Sequence, residues 1–343
     1  MAQSKLGGRD RQRSMKTQVY FVLCGFLLPI ASTARLDPYN VDRHQISVSG
    51  ISSGACMATQ FHVVHSRDIM GVGMIAGAPY MCAEGSAITA TSMCTKTPNY
   101  VSVSALQAIT SSAAFVFNID STSHMKNDKV WIFSGTQDSV VNPGAGAKIR
   151  DYYSHYVTSG SIKTVFDVPA EHSMPTAAYG GQCDKLNSAN YLNKCHYNAA
   201  FEMLNFIYGG HLRNPTTAKG SLIQFDQSDF FYFAPPITYS MDNKGYVYIP
   251  SGCQNKQTAC KLHIAFHGCE MGQSRIGDAY VRHAGYNEVG EANNIIILYP
   301  QAVSTLTNPH SCWDWWGYTG YTYATSSGFQ ITAVYRMMDR VIR

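Results

Sequence analysis

The chain alternates short apolar runs with longer stretches in which apolar residues recur at helical spacing. Runs of about four to eight residues rich in β-branched and aromatic side chains predict buried strands. Because such runs alternate with helical stretches, we expect an α/β fold with a mostly parallel sheet and helices on both faces. The predicted strands cover residues 45–48, 72–75, 130–133, 164–168, 245–249, 262–266 and 295–299, and the predicted helices cover residues 55–65, 144–155, 198–207, 279–292 and 328–342.

Residues 209–243 lack a clear pattern. They carry Pro215, Pro235 and Pro236 among Thr, Ser and aromatic residues, which is typical of loops. No internal repeat or Pro/Ser-rich linker divides the rest of the sequence. We therefore predict a long surface excursion within a single domain rather than a domain boundary.

The N-terminal residues have the three-part layout of a secretory signal peptide. An apolar block at residues 19–30 follows a basic stretch and precedes the small residues 31–34. The block is shorter than the roughly 20 residues that a membrane-spanning helix needs, so an N-terminal anchor is the less favoured alternative. We expect a signal peptide at residues 1–34, a single catalytic domain at residues 35–343, and a secreted, extracellular protein. The basic residues are Lys5, Arg9, Arg11, Arg13 and Lys16.

Net charge argues against polyanionic partners. The chain has 26 Lys and Arg residues against 22 Asp and Glu residues, but residues 1–34 hold five of the basic residues and one acidic residue, Asp10. The remainder carries 21 of each sign and is neutral. Neither nucleic acid nor a membrane surface is expected to bind, and we predict a monomer whose partner is its substrate.

The cysteines predict disulfides in a chain sent to an oxidising compartment. Cys24 would leave with the signal peptide, and nine of the 10 cysteines would remain, one of them unpaired. Spacing leaves the pairing open and suggests Cys56 as the free thiol. A zinc cluster is the alternative, although no Cys-x-x-Cys spacing supports it, and we expect no metal. The suggested pairs are Cys82 with Cys94, Cys183 with Cys195, Cys253 with Cys260, and Cys269 with Cys312.

A Gly-x-Ser-x-Gly pattern at residues 50–54 carries the clearest chemical signal. A predicted strand precedes it and a predicted helix follows, which is the context that a nucleophile elbow requires. Glycines on both flanks permit a tight turn that exposes the hydroxyl of Ser52. The N–H of Ser53 would then face the position of an oxyanion. The alternative is a structural Gly/Ser-rich turn.

A serine hydroxyl needs a histidine to take its proton and an acid to orient that histidine. Asp138 fits the acid because it follows the strand at residues 130–133 in a Gly-containing loop, and His172 fits the base because it follows the next strand. Either could instead be structural. Asp120, Asp128 and Asp167 are expected to be solvated or strand-edge charges, and His62, His65 and His155, within helical runs, are weaker candidates.

The second oxyanion donor is predicted in the loop that follows the strand at residues 262–266. There an apolar strand opens into His267-Gly268-Cys269, and we select the N–H of Cys269. In the usual order of an α/β-hydrolase this loop precedes the nucleophile. Here it follows Ser52 by more than 200 residues.

These segments resemble the poly(3-hydroxybutyrate) depolymerases and the related feruloyl and acetylxylan esterases. The matching pieces are residues 49–54, 77–82, 267–269, 299–301 and 312–316. Their order resembles the circularly permuted form of the fungal secreted depolymerase, with the amphipathic stretch 329–338 in the position of the helix that normally leads into the nucleophile strand. The resemblance implies a permuted α/β-hydrolase with Ser52, His172 and Asp138 as triad, and Ser53 and Cys269 as oxyanion donors.

The resemblance further implies that one of Trp313, Trp315 and Trp316 packs against an aliphatic ester, although these residues could equally fill the core. Cys56 departs from the family pattern, in which a glycine or an aromatic residue is expected. The expected activity is hydrolysis of a short-chain aliphatic ester, such as a poly(3-hydroxybutyrate)-type polyester or its oligomers, without a cofactor. The alternatives are a feruloyl, acetylxylan or general carboxylesterase and, less favoured, a secreted binding protein without turnover.

Overall fold

The computed structural model of the protein describes residues 34–343. The predicted signal peptide, apart from its last residue Ala34, therefore lies outside the described residues, and so does Cys24. Every predicted strand overlaps a strand in this part of the chain. The strands are β1 (Val41–Ile51), β2 (Gly71–Ile75), β3 (Lys129–Phe133), β4 (Ile162–Val165), β5 (Met174–Thr176), β6 (Gly181–Gln182), β7 (Leu192–Lys194), β8 (Ser221–Asp226), β9 (Lys244–Ile249), β10 (Cys260–Phe266) and β11 (Ile295–Tyr299).

Eight of these strands form the main sheet, in the order β4-β3-β2-β1-β10-β11-β9-β8. The six from β4 to β11 are parallel, whereas β9 is antiparallel to both β11 and β8. A second sheet of three strands, β5-β7-β6, lies in the chain between β4 and β8. The predicted α/β fold with a mostly parallel sheet is confirmed.

Helices cover both faces because side chains of the central strands alternate between two cores. In β3, Val130 and Ile132 join the core that contains Phe61 of the first helix, while Trp131 and Phe133 join the opposite core. All these side chains are buried. The helices are α1 (Ser53–Val64), α2 (Ala87–Thr89), α3 (Val103–Phe115), α4 (Gly144–Tyr153), α5 (Ala199–Ile207), α6 (Gln273–Ile276), α7 (Ala279–His283), α8 (Tyr286–Asn293) and α9 (Phe329–Val341).

The first and last segments of residues 34–343 are in contact, as the permuted order requires. The Tyr39 N–H donates a 2.8 Å hydrogen bond to the carbonyl of Val341 at the end of α9. Met337 and Val341 of α9 are buried in the same core as α1. Helix α9 therefore leads spatially into β1, although it follows β1 in the chain.

Two predictions about elements were wrong. Residues 209–243 are not only a surface excursion, because they contain the edge strand β8. Within β8, only Phe225 is fully buried. Residues 279–292 do not form one helix, since Gly285 adopts a φ of 89° between α7 and α8. A left-handed residue ends a helix, and glycine takes this conformation without a steric penalty.

The four predicted disulfides are confirmed: Cys82–Cys94, Cys183–Cys195, Cys253–Cys260 and Cys269–Cys312. Cys56 is buried and unpaired within residues 34–343. In the same part of the chain, no helix combines the length and apolar character required to cross a bilayer.

Candidate active site

Ser52 occupies a strained turn between β1 and α1. Its φ of 58° and ψ of −124° are unusual for a residue with a side chain, and such strain concentrates at functional positions. The flanking glycines are required by close packing. A methyl group on Gly50 would lie 2.2 Å from the carbonyl oxygen of Gly54, and one on Gly54 would lie 2.3 Å from that of His267. The turn therefore has the geometry of a nucleophile elbow.

Asp138 and His172 form a buried pair beyond the ends of β3 and β4. The Nδ1 of His172 lies 2.9 Å from Oδ2 of Asp138, while the N–H groups of Val140 and Val141 donate to Oδ1 at 2.9 and 2.7 Å. An ionised carboxylate only accepts hydrogen bonds, so Nδ1 must donate. This tautomer leaves Nε2 of His172 able to accept a proton.

The three predicted catalytic residues lie on the side of the sheet where its parallel strands end. Strands β1, β3 and β4 are parallel, and each residue follows the carboxyl end of one of them. Val140 and Val141, which bond Asp138, line the same cavity as Ser52. Within residues 34–343, no hydrogen bond joins Ser52 to His172. Such bonds are often long without substrate and shorten when it binds.

Glu171 was missed by the sequence analysis. Its buried carboxylate accepts from the N–H of Ser139 at 2.7 Å, from the hydroxyl of Ser139 at 3.0 Å and from the N–H of His172 at 2.8 Å. Glu171 thus connects the Asp138 loop to the His172 loop. The contacts with Ser139 are long-range in sequence, and no local motif marks them.

The small sheet supports the same histidine from its other side. The Glu171 N–H donates to the carbonyl of Cys183 at 2.8 Å, and Cys183 is bridged to Cys195. The ring of Tyr191 meets the His172 ring edge-on at a centroid distance of 6.2 Å. The His172 loop is therefore braced by a hydrogen bond to a disulfide-linked segment and by an aromatic contact.

The His267-Gly268-Cys269 loop lies directly against the elbow. A methyl group on Gly268 would come within 3.3 Å of the Ser52 Cβ. The disulfide to Cys312 anchors the loop. Within the described residues, neither the Ser53 N–H nor the Cys269 N–H donates to another protein group.

His267 is a fixed, neutral support of this loop. Burial lowers the pKa of His267 to about 4. The Ala302 N–H donates to Nε2 at 3.0 Å, so Nδ1 carries the proton and donates to the carbonyl of Gly268 at 2.7 Å. That bond orients the Gly268–Cys269 peptide.

A cavity of about 330 Å³ opens beside Ser52. Its walls are mostly apolar and come from the elbow, the segment after β2, the α2 region, the Asp138 loop and the disulfide between Cys269 and Cys312. Trp315 and Trp316 form one wall and meet edge-on at a centroid distance of 5.9 Å. The lining residues are Ser52, Ser53, Cys56, Ala76, Gly77, Ala78, Ala87, Thr91, Thr95, Lys96, Val140, Val141, Cys269, His310, Cys312, Trp315 and Trp316.

Trp313 has a different position from the other two tryptophans. It is 0% exposed and packs edge-on against Phe266 at a centroid distance of 5.0 Å. Its backbone N–H donates to the hydroxyl of Ser53 at 3.2 Å. Trp313 fills the core behind the elbow and lies outside the cavity wall, so Trp315 and Trp316 are the tryptophans of this segment that line the cavity.

Comparison with known proteins decides the family. No model of a known protein family matches the chain. The chain is 39% identical over 323 residues to a poly(3-hydroxybutyrate) depolymerase of Delftia acidovorans, covering 93% of this chain but spanning only 64% of that protein. It is 32% identical over 334 residues to a polyhydroxybutyrate depolymerase of Talaromyces funiculosus, covering 91% of this chain and 94% of the relative. The chain belongs to the polyhydroxybutyrate depolymerase family.

Solved depolymerase structures share the fold. A crystal structure of a PHB depolymerase from Penicillium funiculosum matches with a TM-score of 0.82 and 31% identity, covering 90% of this chain and 99% of that one. A serine-to-alanine PHB depolymerase complexed with an R3HB trimer matches with a TM-score of 0.83, the same identity and the same coverage.

A second His–Asp pair in this depolymerase family member lies away from the cavity. The Nε2 of His62 is 3.0 Å from Oδ2 of Asp128, and its Nδ1 is 2.9 Å from the hydroxyl of Tyr153. Asp128 is only 8% exposed and directly precedes β3, so of the two expected settings, solvated or strand-edge, it has the second. His62 lies about 15 Å along α1 from Ser52. Its bond to Asp128 ties α1 to the start of β3.

Proposed function

We propose that the protein is a secreted serine esterase that hydrolyses poly(3-hydroxybutyrate)-type polyesters or their oligomers. The observation that carries this proposal is the His172–Asp138 pair, which lies at the carboxyl ends of the parallel strands together with the Ser52 elbow. The chain also belongs to a family whose named relatives are polyhydroxybutyrate depolymerases. The R3HB trimer bound to a structural relative supports a short hydroxyalkanoate as ligand.

Ser52 attacks the carbonyl carbon of the ester while Nε2 of His172 takes the hydroxyl proton. Asp138 holds the resulting imidazolium through Nδ1. The carbonyl oxygen becomes an oxyanion, which accepts hydrogen bonds from the N–H groups of Ser53 and Cys269. Collapse of the intermediate breaks the ester bond, and His172 gives its proton to the departing alcohol.

The second half of the cycle removes the acyl group from Ser52. A water molecule loses a proton to His172 and attacks the acyl carbonyl, and the same two N–H groups hold the second oxyanion. The Ser52 oxygen leaves with the proton from His172, and a carboxylic acid is released. These steps use only protein groups and water.

The cavity suits an aliphatic polyester. Apolar walls favour a chain with no charge between its ends, and Trp315 and Trp316 present flat surfaces to alkyl groups. The disulfides and the basic-then-apolar N-terminus support export, with a signal peptide at residues 1–34.

The proposal is tested with nitrophenyl esters of increasing acyl length beside a polyhydroxybutyrate clearing assay. We expect hydrolysis of the short-chain esters and clearing of the polymer, with release of soluble hydroxybutyrate. Activity on acetate esters without polymer clearing would indicate a general, feruloyl or acetylxylan esterase instead. Folded protein that hydrolyses none of them would indicate a binding protein without turnover.

Removal of the Glu171 carboxylate is expected to lower kcat more than it changes KM. Glu171→Ala frees the His172 loop, and a misplacement of about 1 Å can cost about 100-fold in rate. Glu171→Gln keeps an acceptor oxygen and should recover most of the activity. The control Glu202→Ala removes a glutamate on α5 that pairs with Lys163. Wild-type kcat in a folded Glu171→Ala enzyme would refute a positioning role.

A further inference from the structure

Helix α1 places Cys56 next to the proposed nucleophile. The Cys56 N–H donates to the carbonyl of Ser52 at 3.1 Å, so the two residues are one helical turn apart. Both Ser52 and Cys56 line the 330 Å³ cavity.

The thiol contributes volume rather than reactivity. Burial raises the pKa of Cys56 to about 12, so the group stays protonated at neutral pH. A protonated thiol is a poor nucleophile, and a buried cysteine packs as a small apolar side chain. Cys56 is 5% exposed and has no disulfide partner among residues 34–343.

The backbone behind Cys56 has no room to move. A methyl group on Gly54 would lie 2.3 Å from the carbonyl oxygen of His267, and one on Gly77 would lie 2.7 Å from the Cβ of Ala55. Helix α1 is thus in close contact with two neighbouring segments. The depth of the cavity on this side therefore depends on the side chain at position 56.

The segment after β2, which packs against the start of α1, already has minimal side chains. Ala76, Gly77 and Ala78 carry at most one methyl group each, and all three line the cavity. An acyl group attached to Ser52 would extend into the space that these residues and the thiol line together.

We propose that Cys56 determines the longest acyl chain that the site accepts, through the space its side chain leaves beside Ser52. The ligand class is a short aliphatic acyl group or the alkyl branch of a hydroxyacyl unit. This inference rests on the proposed ester hydrolysis at Ser52. A smaller residue at position 56 would admit a longer chain, and a larger residue would exclude one.

The test compares kcat/KM for nitrophenyl butyrate and nitrophenyl hexanoate. One methylene in a hydrophobic pocket is worth about tenfold or more in specificity. Cys56→Ala should raise the hexanoate-to-butyrate ratio by about tenfold, and Cys56→Met should lower it by a similar factor. Cys56→Ser, of nearly equal size, should keep the wild-type ratio.

Met57→Leu is the matched control, because Met57 is buried on the same helix and does not line the cavity. It should leave the ratio unchanged. Thermal unfolding identifies folded variants, and if Cys56→Met does not fold, the Ala and Ser variants carry the test. An unchanged ratio in folded Cys56→Ala would overturn the inference. Wild-type protein inactive on every ester would overturn the proposed function and this inference with it.

Discussion

The Ser52→Ala variant is expected to lose ester hydrolysis by about 10⁵-fold to 10⁶-fold in kcat, because no other group can form the acyl-enzyme. The fold should persist, since the substitution removes only a hydroxyl that caps no N–H of α1. Some catalysis above the rate in water should survive through the oxyanion donors and substrate binding.

The measurement is kcat for nitrophenyl butyrate, with circular dichroism to confirm folding. Ser104→Ala, which removes an exposed hydroxyl on α3, is the control and should behave as wild type. A folded Ser52→Ala enzyme with a tenth of the wild-type kcat would remove Ser52 from the mechanism.

Asp138→Asn is expected to reduce kcat by about 10⁴-fold. The N–H groups of Val140 and Val141 require an acceptor at the Oδ1 position, so the amide oxygen of the new side chain should occupy it. The amide NH₂ then faces Nδ1 of His172. Because Nδ1 must accept in that arrangement, the proton moves to Nε2, where it blocks proton transfer from Ser52.

Asp128→Asn is the matched control, because Asp128 also bonds a buried histidine, His62, which lies within α1 and outside the cavity lining. We expect it to lower the unfolding temperature and leave kcat within a few fold. The prediction fails if both variants lower kcat equally, or if Asp138→Asn is as active as wild type.

Local sequence carried enough information to predict the elbow and the central strands. The turn at residues 50–54 requires glycines, because a side chain at either glycine would produce contacts near 2.2 Å. A requirement of this kind is visible in the sequence as a short motif. The buried strands, such as β3 and β11, are continuous apolar runs. The fold class followed from their alternation with helices.

Other features depend on contacts between segments far apart in the chain. Glu171 contributes through Ser139, 32 residues away, and the burial of Asp128 depends on its contact with His62, 66 residues away. Trp313 and Trp315 are two residues apart, yet only the structure shows which faces the cavity. Strand β8 was missed because an edge strand buries too few residues to produce an alternating pattern.

Reaction with a fluorophosphonate probe followed by peptide mapping tests the role of Ser52 most directly. Such probes trap a serine activated by a neighbouring base. We predict a single adduct on Ser52, complete loss of polymer clearing when labelling is complete, and much slower labelling of Asp138→Asn. An adduct on another residue, or clearing activity that survives full labelling of Ser52, would contradict the account.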